Sequence, residues 1–172
     1  MSRRNYGEAD RILTIFTKHY GKLRVIAKGV RRTTSRKKGS VELFNYIKFF
    51  AVSGKRLDLI TEVEVKSGFL GFKKDLNKVA VAYHLAEVVE RLTPENQENK
   101  EILELLIIAY ARLEKLDYWQ LYDFALTFKV KILEELGFLE REQPAPKNLD
   151  AFIEDLINGK LRTKKFLVSL SH

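Results

Sequence analysis

The spacing of apolar residues changes near Gly68, and this change constrains the fold more than any other feature. Before it, short segments rich in β-branched and aromatic residues are separated by turns; they are residues 11–18, 23–28, 41–52 and 57–65. After it, apolar residues recur every three or four positions, which is typical of helices. The pattern predicts an α+β chain, with a small closed or partly open antiparallel β-barrel at residues 1–70 and an α-helical domain at residues 71–172.

The helical half carries clear boundary signals. The predicted helices are residues 75–92, 100–116, 118–136 and a short stretch that follows Asn148 and ends at Gly159. Asn99, Asp117 and Asn148 are suitable N-caps, and Gly137 suits the position after a helix C-terminus. Residues 161–170 fit a strand or a helix equally well.

One apolar face is expected on the first of these helices, formed by Val81, Leu85, Val88 and Leu92 and widened by Ala82, Ala86 and Val89. His84 falls on the opposite, polar side, and we predict that it lies at the rim. The third helix is rich in aromatic residues, among them Trp119, and part of it could form a groove for an apolar peptide.

Positive charge is concentrated at the start of the chain. The whole chain has a net charge of +8, whereas residues 1–40 hold 12 Lys or Arg against two acidic residues, a net charge of +10. Residues 79–172 hold 12 basic and 16 acidic residues, a net charge of −4. Cations gathered on one module indicate a polyanionic partner such as nucleic acid.

The most basic segment is residues 28–39, which has the composition of a polar loop. We predict that its cations and those of the preceding strand contact phosphates; they are Lys22, Arg24, Lys28, Arg31, Arg32, Arg36, Lys37 and Lys38. Tyr6 and Tyr20 lie among polar neighbours, so we expect exposed rings on which bases could stack. The alternative is a solvated loop whose charge only keeps the protein in solution.

Several classes of function are disfavoured by what the sequence lacks. Without cysteine it can form no disulfide, thiolate zinc site or cysteine nucleophile, and the three histidines are scattered, so we expect no metal and no cofactor. No nucleophile elbow or phosphate-cradling loop is present, and we predict that the protein is not an enzyme. Glu8 and Asp10 are expected to form ion pairs with Arg4 or Arg11.

Membrane signals are also missing. No apolar run is long enough to span a bilayer, and residues 1–10 are charged but lack the apolar core of a signal peptide. We therefore expect a cytoplasmic protein.

Specific motifs in this chain resemble a known family, the bacterial RecO recombination mediators. They are YGEADRILT at residues 6–14, GKLR at 21–24, AKGVRR at 27–32, LDLITE at 57–62 and EELGFL at 134–139. The resemblance implies an OB-type barrel followed by helices, binding of single- and double-stranded DNA, and annealing of complementary strands. It further implies help in loading RecA, with RecR and the C-terminal tail of single-stranded-DNA-binding protein (SSB) as partners.

By position, the resemblance also implies which cations contact DNA: Arg24, Lys28, Arg31, Arg32, Arg36, Lys37 and Lys38. Two departures from the family pattern stand out. Relatives often carry a four-cysteine zinc element after the ELGFL-type motif, where this chain has residues 144–147 and no cysteine. Relatives also begin with an apolar strand before the YGEAD motif, and Met1–Arg4 leaves almost none of it.

Two other functions remain compatible with the sequence. An OB protein that binds RNA would use the same stacking and phosphate contacts. A protein-interaction adaptor would work through the acidic helical half, with the basic loop serving solubility alone.

Overall fold

The computed structural model describes residues 1–170, so the last two residues of the predicted helical domain, Ser171 and His172, lie outside the described part. Five strands come first, and helices follow, which confirms the α+β prediction. The strands are β1 (Ser2–Tyr6), β2 (Asp10–Thr17), β3 (Gly21–Ala27), β4 (Tyr46–Val52) and β5 (Asp58–Ser67). They form one sheet in the order β1-β2-β3-β5-β4, in which only the β3–β5 pair is parallel among the described strands.

The first strand is present, although the sequence suggested that little of it remained. β1 pairs with β2 along its whole length, from Ser2 opposite Thr14 to Tyr6 opposite Asp10. β1 is an outer strand of the sheet, and Arg3 and Arg4 are exposed on it. An outer strand tolerates these cations because their charged heads can stay in water.

The predicted strand over residues 41–52 is wrong in its first five residues. Residues 41–45 form turns, and β4 begins only at Tyr46. Phe44 has a positive φ of 67° and packs edge-on against the rings of Phe72, Tyr83 and Tyr110. Burial of this aromatic ring among helical residues therefore overrides the β propensity of the segment.

The helices agree closely with the predicted boundaries. They are α1 (Leu76–Leu92), α2 (Lys100–Leu113), α3 (Leu121–Glu135), α4 (Leu149–Leu156) and α5 (Lys164–Val168), with 3-10 turns at Phe72–Lys74 and Tyr118–Gln120. Asn99 and Asn148 accept N-capping hydrogen bonds as expected, and Gly137 has a φ of 75°. Residues 161–170, which fit a strand or a helix, include the helix α5. The third helix is preceded by a 3-10 turn that Asp117 and Gln120 cap together.

Two apolar clusters form the interior. The larger one joins the predicted apolar face of α1 to the other helices and to Phe44 and Phe69. The smaller one lies within the sheet and contains Leu13, Val25, Ala27, Val30, Val41 and Ile60. Val30 and Val41, at the two ends of the basic loop, are thus buried anchors. No helix in residues 1–170 is long and apolar enough to cross a membrane.

Candidate nucleic-acid interface

The sheet register separates the predicted DNA-binding residues into two groups. The β2–β3 hairpin runs from Thr17 opposite Gly21 at one end to Arg11 opposite Ala27 at the other. The loop end, as we call it, comprises the turn at residues 7–9, Tyr6 and the loop at residues 28–45. The turn end comprises the turn at residues 18–20 and the first residues of β3, 21–24. Since a strand rises about 3.3 Å per residue, β3 holds the two ends about 20 Å apart.

At the loop end, the basic segment is built of consecutive turns. Backbone N–H groups of Arg32, Ser35 and Ser40 donate to carbonyls three residues earlier, at 3.1 Å in each case. Val30 and Val41 fix both ends of the segment in the sheet core. The segment that the sequence predicts to be a polar loop therefore presents its cations from a hydrogen-bonded backbone.

The turn between β1 and β2 ties this loop to Tyr6. Asp10 accepts a hydrogen bond from the Gly29 backbone N–H at 2.8 Å, and the Arg31 backbone N–H donates to the Ala9 carbonyl at 2.9 Å. The Arg31 guanidinium also reaches the Gly7 carbonyl, at 3.3 Å. Tyr6 is exposed, as predicted, and stands beside the basic loop.

The ion pairs expected between Glu8 or Asp10 and Arg4 or Arg11 are wrong, since none of them forms within residues 1–170. Asp10 instead binds the loop backbone, and Arg11 pairs with Glu42 at 3.2 Å. Arg3 binds the other oxygen of the same carboxylate, so one acid holds two cations, whose hydrogen bonds keep the pKa of Glu42 below its usual value despite partial burial. Glu42 lies 31 residues from Arg11 in sequence, which is why local spacing gave no sign of this pair.

Four cations of the loop end have side chains that make no hydrogen bond or ion pair within residues 1–170: Lys28, Arg32, Arg36 and Lys38. All four side chains are exposed. Lys37 differs from them, because its ammonium donates to the Ile60 carbonyl at 3.3 Å. The structure thus leaves four like charges on the segment 28–38, none of them paired with an acid within residues 1–170.

At the turn end, two of the predicted cations are engaged by the helical region. The Lys22 ammonium donates to the Glu90 and Thr93 carbonyls at the C-terminus of α1, at 2.6 and 2.5 Å. Its pKa is lowered by burial. Arg24 pairs with Glu95, with nitrogen–oxygen distances of 3.0 and 3.3 Å. Tyr20 is 67% exposed, as predicted, but lies at the opposite end of β3 from Tyr6.

The prediction that His84 lies at the rim is wrong, since its side chain is fully buried. Its Nδ1 is 2.9 Å from the Thr163 hydroxyl, which in turn donates to Glu87, and its Nε2 lies 3.8 Å from Asp150. Burial, with the positive charge of the buried Lys129 nearby, lowers the pKa of His84 to about 4. The segment before α5 lies against the polar side of α1 and covers it. The spacing of apolar residues within α1 gives no sign of this contact.

No three His, Asp or Glu side chains among residues 1–170 are grouped so that they could hold a metal ion. On the aromatic 3-10 turn, Trp119 is 73% exposed, but nothing in the structure shows which group would cover it.

Comparisons with known proteins agree with the motifs. Family models described as Recombination protein O N terminal and Recombination protein O C terminal match residues 1–69 and 73–141. DNA repair protein RecO of Pelotomaculum thermopropionicum is 33% identical over 135 residues, which is 78% of this chain and 52% of the relative. The Alkaliphilus metalliredigens protein of the same name is 34% identical over 137 residues, 80% of this chain and 55% of the relative. The chain therefore spans about half the length of these relatives.

Proposed function

The chain belongs to the RecO family of recombination proteins, and from this membership we propose that it binds DNA and anneals complementary strands in recombinational repair. In this proposal it is a non-catalytic, cytoplasmic mediator that acts with RecR and the C-terminal tail of SSB to help load RecA. Residues 1–70 form an OB-like binding domain, and residues 71–172 form a helical domain that faces the protein partners. The relatives named above carry the words DNA repair in their names.

The single observation that carries the proposal is the group of four unpaired cations at the loop end. Lys28, Arg32, Arg36 and Lys38 repel one another, and a phosphate backbone would relieve this repulsion while releasing its condensed counterions. The turns of the loop hold the backbone before DNA arrives, so that binding loses little conformational entropy. Tyr6 supplies an exposed ring at the same end for an unstacked base.

Of the other predicted residues, Arg31 and Lys37 extend this surface from its edge, where each side chain already binds a backbone carbonyl. Lys22 serves mainly to hold α1 and is at most a minor DNA contact. Arg24 can reach a phosphate only by exchanging the Glu95 carboxylate for it.

Charge reversal at the loop end tests the binding surface. We expect the Arg32→Glu/Arg36→Glu/Lys38→Glu variant to bind a dT20 oligonucleotide at least about tenfold more weakly than the wild type in 50 mM salt. For single strands, the slope of the logarithm of the binding constant against the logarithm of the salt concentration becomes shallower by roughly 0.7 for each phosphate that the protein no longer neutralises. The matched control is Lys115→Glu/Lys131→Glu/Lys147→Glu, which makes the same change in net charge at exposed residues of the helical half of the chain. Equally weakened binding by both variants would show a general charge effect and refute this site.

Strand annealing tests the wider proposal. Two complementary labelled oligonucleotides, each precoated with SSB, should anneal faster with the protein, and the acceleration should fade between 50 and 200 mM salt. Tighter binding to U20 than to dT20, without annealing, would instead support an RNA-binding protein. Binding to neither oligonucleotide would favour the adaptor.

A further inference from the structure

We propose that Asp10 is a positioning residue for DNA binding, because its carboxylate holds the start of the basic loop in the conformation that receives a strand. This inference rests on the proposed function and adds to it an acidic residue on which the basic surface depends. A negative charge beside a DNA-binding surface repels phosphates. The role that we assign to Asp10 is therefore opposite to the one that its charge alone predicts.

The carboxylate of Asp10 is committed to the loop backbone. Asp10 is the first residue of β2 and lies opposite Tyr6 on β1. Its Oδ1 accepts a hydrogen bond from the Gly29 backbone N–H at 2.8 Å, across 19 residues of sequence. Within residues 1–170 no Lys or Arg side chain pairs with this carboxylate. Its contact with the loop is thus specific and is not a by-product of an ion pair.

Gly29 is the residue of the loop for which such a contact matters most. It is the second residue after β3 and has a φ of +65°. Without a Cβ, glycine can adopt more backbone conformations than any other residue, and it loses the most conformational entropy when it is fixed. The hydrogen bond from Gly29 to Asp10 selects one of these conformations before DNA arrives.

The conformation of Gly29 sets the direction of two unpaired cations. Lys28 is its chain neighbour, and the Arg32 backbone N–H donates to the Gly29 carbonyl at 3.1 Å. The Arg32 side chain also lies over Gly29, with its Cδ and Nε 3.9 Å from the position that a Cβ on Gly29 would occupy. Asp10 therefore acts on the DNA-binding cations through Gly29 and does not itself touch the strand.

Loss of the Asp10 carboxylate would loosen the loop without detaching it. The Arg31 backbone N–H donates to the Ala9 carbonyl, a bond that no side-chain substitution at Asp10 removes, and Val30 stays buried. The freed Gly29 would then have to be ordered on binding, at a cost equivalent to roughly a five- to thirtyfold change in a binding constant. All the cations would remain, so that the number of phosphates neutralised would not change.

Three single variants, each of which removes one negative charge, test this inference. In 50 mM salt, Asp10→Ala should bind dT20 about fivefold more weakly than the wild type or weaker still, with an unchanged salt dependence of the binding constant. Asp10→Asn should restore most of the affinity, because its amide oxygen can accept from the Gly29 N–H. Glu8→Ala is the matched control, since Glu8 is exposed and its side chain has no partner within residues 1–170. It should bind dT20 at least as tightly as the wild type.

The variants also define the results that would overturn the inference. Equal affinities of Asp10→Ala and Glu8→Ala would do so, as would binding by Asp10→Asn as weak as that by Asp10→Ala. A weaker salt dependence in Asp10→Ala would contradict it too, because phosphate contacts would then have been lost. Failure of the wild type to bind any oligonucleotide would instead reject the proposed function itself.

Amide hydrogen exchange of the wild type without DNA gives a readout that needs no variant. The Gly29 amide proton, measured by NMR, should exchange more slowly than that of Gly39, whose N–H donates no hydrogen bond within residues 1–170. In Asp10→Ala the Gly29 amide should lose this protection, while the amides of α1 keep theirs. Equally fast exchange at Gly29 and Gly39 in the wild type would overturn the inference.

Discussion

Among single residues, Gly21 occupies the tightest position between the sheet and the helical region. Its φ is +61°, and a Cβ at this residue would lie 1.7 Å from the Gln97 carbonyl oxygen. Gly7 also has a positive φ, of +55°, but nothing lies within 4 Å of a Cβ there. A comparison of substitutions at these two glycines therefore distinguishes the cost of backbone strain from the cost of a steric clash.

Replacement of these glycines by alanine should have unequal effects. Gly7→Ala should lower the free energy of unfolding by about 1–2 kcal/mol, the usual cost of a left-handed conformation with a Cβ. Gly21→Ala should lower it by roughly 3 kcal/mol or more, because the chain at Gln97 must also move. Urea denaturation of both variants measures the difference. Equal decreases would mean that residues 95–97 yield readily and do not hold the sheet.

The buried imidazole of His84 gives a pH-dependent stability. Its pKa of about 4 in the folded chain is below the usual 6.5, so the unfolded chain binds a proton that the folded chain does not. This contribution is complete above pH 6.5 and is lost as the pH falls toward 4. Between pH 7.5 and 5, we expect the free energy of unfolding to decrease by about 2 kcal/mol from this group.

Replacement of His84 by Asn provides the control. The amide can keep the hydrogen bond to Thr163 but cannot take up a proton. The stability of the His84→Asn variant should therefore decrease much less over the same pH interval, as measured by urea denaturation at several pH values. An unchanged pH dependence in this variant would assign the effect to other groups.

At the scale of secondary structure, the junction between β3 and α1 determines what Lys22 does. The last carbonyls of a helix lack partners within it, and the Lys22 ammonium supplies hydrogen bonds to those of Glu90 and Thr93. The backbone carbonyl of Lys22 also accepts a hydrogen bond from Asn96 at 2.9 Å. A cation that the sequence places among DNA-binding residues thus caps a helix.

Lys22 and Lys28 lie near opposite ends of β3 and should respond differently to mutation. Lys22→Met should lower the free energy of unfolding by about 1.5–3 kcal/mol, the range for hydrogen bonds to a charged group, with less than about a twofold change in dT20 affinity. Lys28→Met should leave stability within about 0.5 kcal/mol and weaken dT20 binding. Urea denaturation and fluorescence anisotropy measure both properties. Weaker DNA binding by the Lys22 variant, with normal stability, would instead assign Lys22 to the DNA-binding surface.

Secondary structure was predictable where local chemistry decides it. Asn99 and Asn148 cap helices because their side chains accept from backbone N–H groups three residues later, an interaction between residues that are neighbours in the sequence. The start of β4 was not predictable, because Phe44 leaves the strand conformation for a ring cluster formed by residues as distant as Tyr110. The burial of His84 escaped for the same reason, since Thr163 lies 79 residues away.

On the scale of the whole molecule, charge and architecture are divided in the same way. The sheet carries the basic residues and the helices carry the excess of acid, and acids of the helical side, such as Glu95, neutralise cations only where the two regions touch. The cations of segment 28–38 lie toward the other end of β3 from Lys22 and Arg24, and four of them have no partner within residues 1–170.

By itself, the sequence determined the order of strands and helices, the caps, the family and the concentration of cations in the first 40 residues. These properties follow from periodicity, capping and composition, which act between neighbours in the chain. Tertiary structure decided which cations remain free. Glu42, the end of α1 and Glu95 engage Arg11, Lys22 and Arg24 at sequence separations of 31 to 71 residues. Such pairs depend on how strands and helices pack, because a charge is neutralised by whichever group lies beside it in space.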